Sequence, residues 1–218
     1  MERLETKFMQ LKLRDQEFVI VDLETTGLYA AEGDQIIEFG ALKVSKLEIE
    51  GPGFQQLVNP GRPIPESATA IHGISDADVK DCPTSDQVMP DFLKYNGSRI
   101  WVAQNAPFDL SFIMRDMRRM KLAFGEKLVI DTIKISKILF PNAGSHNLDV
   151  LMARLGISKT GSRHRSLDDC RFTAQVLIEF IKMLEKQGMD ELMQIKDAFV
   201  RHDNILKEDK PKARGLFG

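Results

Sequence analysis

Apolar and polar positions change rhythm along this chain, and each change predicts a different kind of element. Phe18-Val-Ile-Val-Asp-Leu-Glu24 is a β-rich apolar run closed by Thr25-Thr26-Gly27, and reads as a strand entering a turn. Gln35 to Val44 (QIIEFGALKV) and Gly53 to Val58 (GFQQLV) are further runs of this kind, the last closed by Asn59-Pro60-Gly61. Their short connections predict an antiparallel meander. After Pro65 the period lengthens, and residues 66–71, 76–80 and 85–95 read as short helical pieces divided by Gly73 and Pro83. Arg99 to Ala103 (RIWVA) returns to strand. Pro107 then opens a helix to about Lys121, along which Phe108, Phe112, Ile113 and Met117 recur at helical spacing. Val129 to Asp131 reads as a short strand, followed by a helix that Pro141 ends after Phe140. Asn147 to Leu155 and Ser166 to Lys186 are two more helices, the latter broken by Gly188. Met189 to Arg201 reads as an extra helix and Lys207 to Gly218 as a mobile tail. Strands first, then strands alternating with helices, imply an α/β fold with a mixed sheet flanked by helices. The expected layout is an N-terminal arm over 1–15, one main domain over 16–187, and a C-terminal helix and tail over 188–218.

Composition narrows the function classes. A chain of 218 residues, 43% of them hydrophobic, can bury a core without covalent staples. A formal charge of −2 provides no global positive field to draw nucleic acid, so any such binding is local. Cys82 and Cys170 lack CxxC or Cys/His spacing, which argues against a thiolate zinc site and for a reducing compartment, with both thiols as small buried apolar groups. No apolar run suits a signal peptide or a membrane span, so the expected location is cytoplasmic.

Candidate chemistry begins with Asp22 and Glu24. A strand has a side-chain period of two, so these carboxylates project from one face, roughly 6 to 7 Å apart, beyond Phe18 and Ile20. Like charges at the end of an apolar strand repel, and a raised pKa or a bound cation would relieve them; alternatively the strand has simply run out into a solvated turn. Asp109 falls in the first turn of the helix opened by Pro107, where an acid also complements the helix dipole. Asp169 follows Ser166 at nearly capping-box spacing, and His164 lies between Arg163 and Arg165 with a side chain suited to taking a proton at neutral pH. Each has a purely structural reading when taken alone. Together they place acids and a histidine at strand ends and helix starts, where an α/β sheet gathers its site. Oxygen donors without Cys select hard cations, Mg²⁺ or Mn²⁺. Two such ions can hydrolyse a phosphodiester, one activating the attacking water and the other neutralising the leaving oxygen, with the histidine removing the water's proton.

In this order the motifs become recognisable. Asp22-Leu-Glu24-Thr-Thr-Gly, Asn105-Ala-Pro-Phe108-Asp109 and His164-x-Ser-x-x-Asp169 resemble the exonuclease motifs of the DEDDh family, which includes the proofreading epsilon subunit of DNA polymerase III. The resemblance runs from about Phe18 to Phe180 and takes in Ile71-His72-Gly73-Ile74 and the Asp131-Thr132 segment. It implies a ribonuclease-H-like fold with a five-stranded sheet, two divalent cations held by Asp22, Glu24, Asp109 and Asp169, and His164 as general base. It also implies that Thr25, Thr26 and Leu28 meet the 3′-terminal nucleotide and that His72 and Phe108 bound its base. Asn105 belongs to the same substrate motif. Asp168 is the rival for the fourth acid, but the HxAxxD spacing selects Asp169, and in a helix Asp168 points about 100° away. Gln104 stands where many relatives carry histidine, and Ser166 replaces the usual alanine.

Lys159, Arg163 and Arg165 could hold phosphates of an incoming strand, whereas Arg115, Arg118, Arg119 and Lys121 read as a solvated helix face. With 7% aromatic residues an extended stacking groove is not expected, and a short 3′ end threading a pocket fits better. His146 and His202 read as structural or solvated. Gln194 to Phe199 faintly resembles peptides that dock on sliding clamps, against an amphipathic helix packed on the domain. The reading is therefore a 3′→5′ exonuclease acting on single-stranded or frayed DNA ends, beside a polymerase subunit or clamp. An exoribonuclease is the close alternative, and a non-catalytic polymerase- or nucleic-acid-binding module the more distant one.

Overall fold

The computed structural model describes residues 11–158, 164–201 and 205. Arg163, Lys159, His202 and the tail from Lys207 lie outside the described residues. The sheet has five strands: β1 (Glu17–Thr25), β2 (Ile36–Ser45), β3 (Glu48–Leu57), β4 (Ile100–Ala103) and β5 (Val129–Asp131), in the order β3-β2-β1-β4-β5. β1, β2 and β3 form the expected antiparallel meander, and β4 and β5 add in parallel on the other side of β1. The mixed five-stranded sheet is as expected from the sequence.

One strand departs from that reading. β3 begins at Glu48, not at Gly53. The hairpin turns on Lys46 and Leu47, both with positive φ, between the paired Ser45 and Glu48. Two-residue hairpin turns need such a backbone and usually signal it with Asn-Gly or Gly, a signal missing here. Gly51-Pro52-Gly53 lies within β3, where the register slips between Ala41 and Lys43.

Helices cover both faces. α1 (Glu66–His72), α2 (Asp76–Val79) and α3 (Ser85–Asn96) follow the meander, and α4 (Ala106–Arg119) follows β4. α5 (Thr132–Leu139), α6 (Leu148–Leu155) and the 21-residue α7 (Ser166–Lys186) complete the set. Alternation along β1 sorts its contacts. Phe18 and Ile20 join Leu42 and Val44 under Phe172, Leu177, Phe180 and Ile181 of α7. Val19, Val21 and Leu23 face the other way, into a core with Phe92 of α3 and Leu110, Phe112 and Ile113 of α4. Trp101 stands there edge-on to both Phe92 and Phe124.

The C-terminal helix expected over Met189 to Arg201 is instead a short 3-10 helix, Leu192–Ala198, interrupted at Ile195. Its buried Leu192, Ile195 and Ala198 join the α7 core, as does Leu13 before β1. The clamp-like segment thus buries its apolar positions against the domain. Among the described residues, no helix is long and apolar enough to cross a membrane.

Candidate active site

Asp22 and Glu24 extend the α7-facing row of β1 past its apolar part. What lies opposite them on β2 lets α7 come close. Asp22 pairs with Gly40 and Glu24 with Glu38. A Cβ on Gly40 would lie 2.6 Å from the Ser166 main chain, so glycine is what allows the start of α7 to cross β2 there. Gly53 on β3 is equally tight, with a Cβ 2.5 Å from Leu167 Cδ1.

This close approach delivers Asp169. Asp22, Glu24 and Asp169 each offer an oxygen within 4.8 Å of the others, with Glu24 and Asp169 buried and Asp22 half-buried. Asp168 instead pairs with Arg171 at 2.8 Å, one turn along the helix. Ser166 does not cap α7: Arg165 is the N-cap residue, and the Ser166 hydroxyl donates to Glu38. The Asp169 carboxylate reaches back instead, accepting the His164 N–H at 3.3 Å. His164 holds a left-handed backbone conformation (φ 62°), which turns the chain sharply into the helix.

Asp109 arrives from the other side. β4 pairs with β1 as far as Val102 opposite Ile20, so the end of β1 continues without that neighbour. There the Leu23 N–H donates to Asp109 Oδ1 at 3.0 Å, which pins the carboxylate beside the residues flanking Leu23, Asp22 and Glu24. Burial pushes the Asp109 carboxyl well above the usual range. The N–H groups at Asp109 itself and at Leu23 oppose the shift, and the negative charge of Asp131 adds to it. Asp131, at the end of β5, is raised by burial too; its Oδ1 accepts from Asn105 N and Ile133 N. It therefore ties the start of α4 to the start of α5, a role the sequence reading did not assign.

The acids Asp22, Glu24 and Asp169 thus crowd three carboxylates into a few ångströms, with Asp109 next to them, and offer oxygen donors only. That donor set fits a hard divalent cation, whose charge would relieve both the mutual repulsion and the cost of burial.

Of the residues expected to meet substrate, two follow Glu24 directly in the chain. Thr25 and Thr26 are buried and spend their hydroxyls on the turn: Thr25 donates to Gly27 O at 2.6 Å, and Thr26 accepts from Gln35 N at 2.9 Å. Leu28, by contrast, is 67% exposed at the tip. Asn105, the N-cap of α4, is exposed and left-handed, with no side-chain cap bond. Phe108 is half-buried against Phe112. His72 is buried: its Nδ1 accepts from Ile74 N at 3.0 Å, while Nε2 lacks a hydrogen-bonding partner. Burial lowers its pKa, Glu38 opposes the shift, and His164 and Arg165 add to it. His72 therefore stands near Glu38 and the end of β1 at Thr25.

Arg165 keeps 38% of its side chain exposed and is also paired with an acid. Its guanidinium meets the fully buried Glu38 carboxylate, with Nη2 2.6 Å from Oε1. Glu38 went unnoticed in the sequence, although one charge inside the apolar run QIIEFGALKV was a signal. Arg115 is no solvated side chain: it bonds the carbonyls of Ala30 and Asp34 and the Gln35 side chain, tying α4 to the loop after β1. Of the cysteines, Cys170 is buried below the site, as expected, and Cys82 is half-buried. His146 packs structurally, its Nδ1 2.7 Å from Ser136 Oγ.

A family model described as exonuclease, of the RNase T type, matches residues 19–177, which spans every acid of the cluster. The chain belongs to the exonuclease family. The family resemblance seen in the motifs is thereby confirmed. Within that exonuclease family, the chain is 35% identical over 209 residues to a DNA polymerase III subunit epsilon-like protein of Rhodobacter capsulatus, covering 94% of this chain and 29% of the relative. It is 34% identical over 212 residues to a PolC-type DNA polymerase III of Caldanaerobacter subterraneus, covering 92% and 15%. The chain spans less than a third of the length of these curated relatives. Among solved structures, exonuclease X in complex with 5′ overhanging duplex DNA superposes with a TM-score of 0.64 at 29% identity, covering 82% of this chain and 99% of that one. The nuclease domain of 3′hExo, a DEDDh family member bound to rAMP, superposes at 0.68 over 83% and 97% with 21% identity, and so shares the fold. The sheet order and these neighbours establish the ribonuclease-H-like architecture.

Proposed function

We propose that the chain is a metal-dependent 3′→5′ exonuclease that hydrolyses phosphodiester bonds at single-stranded or frayed 3′ ends of DNA. It releases nucleoside 5′-monophosphates, in the cytoplasm, during proofreading or repair beside a DNA polymerase. The observation that carries this reading is the meeting of Asp22, Glu24 and Asp169 within 4.8 Å, with Asp109 fastened to the intervening Leu23. These four acids would hold two cations, Mg²⁺ or Mn²⁺. When bound, the cations supply positive charge that acidifies the attacking water and offsets charge on the leaving oxygen.

The chain's own groups do the rest. His164, hinged to Asp169 through its N–H, takes the proton of the attacking water on its ring. Leu28 at the exposed tip, the β1 turn at Thr25 and Thr26, Phe108 and His72 bound the terminal nucleotide, and Asn105 lies beside them. Relatives named for DNA polymerase III support DNA over RNA as the substrate.

The test is a ladder assay on 5′-labelled single-stranded, paired and 3′-mismatched DNA, and on matched RNA, with Mg²⁺, with Mn²⁺ and with excess chelator. Stepwise shortening from the 3′ end is expected with either metal, fastest on mismatched DNA and absent with chelator. Full activity in chelator would overturn the metal mechanism, and a strong preference for RNA would overturn the substrate.

A further inference from the structure

The residue opposite the metal-ligand candidate Glu24 is another acid, Glu38, whose side chain is fully buried. Like charges facing each other across a strand pair are destabilising, and a buried carboxylate is more costly still. Glu38 is retained there with a full set of donors. It receives Arg165 Nη2 at 2.6 Å and Nε at 3.3 Å, Ser166 N and Ser166 Oγ at 2.9 Å each, and Gln55 Nε2 at 3.0 Å. These donors come from β3 and from the first residues of α7, so one carboxylate fixes where α7 begins. From that start, the Asp169 N–H bonds the Arg165 carbonyl at 3.0 Å, and the Asp169 carboxylate holds the His164 N–H.

We propose that Glu38 and Arg165 are a positioning pair for cleavage: clamped on β2, Arg165 and Ser166 place Asp169 against Asp22 and Glu24 and set the turn that carries His164. This rests on the reading of those acids as metal ligands. Arg165 also lies in the field of Glu24, which, like Glu38, favours its charged form. The pair acts through Asp169 and His164 and touches neither the scissile phosphate nor the cation. Partners of this kind, one step removed from a metal, change affinity or activity by about 10- to 100-fold when lost.

The experiment compares wild type with Glu38→Gln, Arg165→Gln and the double variant, each at a temperature where it is folded by circular dichroism. It reads kcat and KM separately on a single-stranded DNA oligomer with Mn²⁺, and reads binding of Mn²⁺ alone by electron paramagnetic resonance. Each single variant should lower kcat by about tenfold or more, leave KM within about threefold, and weaken Mn²⁺ binding by about tenfold. The double variant should be no worse than the more damaged single one, because the two residues act as one unit. Should Arg165→Gln fail to fold with Glu38 stranded, Glu38→Gln and the double variant, which bury no lone charge, carry the comparison.

A rise in KM of tenfold or more for Arg165→Gln, with kcat and Mn²⁺ binding unchanged, would make Arg165 a phosphate ligand and overturn the proposal. Lowered thermal stability with kcat, KM and Mn²⁺ binding all as in wild type would overturn it too, leaving a structural role. If wild type itself shows no metal-dependent cleavage, the exonuclease reading fails, and the Mn²⁺-binding comparison still decides whether the pair places Asp169.

Discussion

Asp109 is held by a main-chain N–H at one end and crowded by burial at the other, a combination that fixes its place and leaves its charge dependent on what stands next to it. A bound cation would favour the anion, and removing it would favour the acid. Asp22 is less buried and forms part of the close carboxylate group, so Asp22→Ala should abolish metal-dependent cleavage in the ladder assay; activity persisting in that variant would contradict the assignment. His164→Ala should lower kcat by about 10² to 10⁴, with DNA affinity measured by anisotropy nearly unchanged. Cys170 offers a control on packing at the same depth. Burial, with the nearby charges of Asp22, Asp109 and Asp169, pushes its thiol well up, so it stays protonated beneath Ile20. Alkylation should therefore modify Cys82 quickly in the folded protein and Cys170 only after unfolding, as mass spectrometry would show.

At the level of elements, the site depends on how closely α7 crosses β2. Gly40→Ala would place a methyl carbon 2.6 Å from the Ser166 main chain, which cannot yield as a flexible side chain would. The expected cost is about 1 to 3 kcal/mol in urea unfolding, together with reduced cleavage as Asp169 is pushed away from Asp22. An undisturbed kcat would show that the crossing tolerates a wider gap. Such features explain what the sequence disclosed and what it hid. Asp22, Glu24, Asp109 and Asp169 could be named because strand period, helix start and motif spacing are local properties. Glu38 showed only as one charge inside an apolar run, because its partner Arg165 lies far along the chain; Asp131 caps the next helix locally, but its tie to Asn105 N joins two separate elements. The β2–β3 turn was hidden for a different reason: Lys46 and Leu47 adopt positive φ without the usual residues, and the strand runs on through a bulge at Gly51 to Gly53.

Over the whole molecule, fold class and the mixed five-stranded sheet followed from apolar periodicity and the family resemblance, while the C-terminal segment formed a 3-10 helix whose apolar residues pack on the α7 core. Global stability should also carry a mark of the site. His72 is buried with a lowered pKa, so below about pH 6.5 the unfolded chain binds a proton that the folded chain resists. Stability is then complete above that pH and declines as pH falls toward the lowered folded value. Urea unfolding followed from about pH 8 to about pH 5 should show a steeper loss for wild type than for His72→Gln; equal slopes would contradict the burial argument. The most direct test of the central claim is anomalous scattering from crystals grown with Mn²⁺ and a nucleoside 5′-monophosphate. Manganese peaks enclosed by Asp22, Glu24, Asp109 and Asp169 are expected. Strong peaks elsewhere, with these carboxylates uninvolved in a protein that still cleaves DNA with Mn²⁺, would contradict that claim.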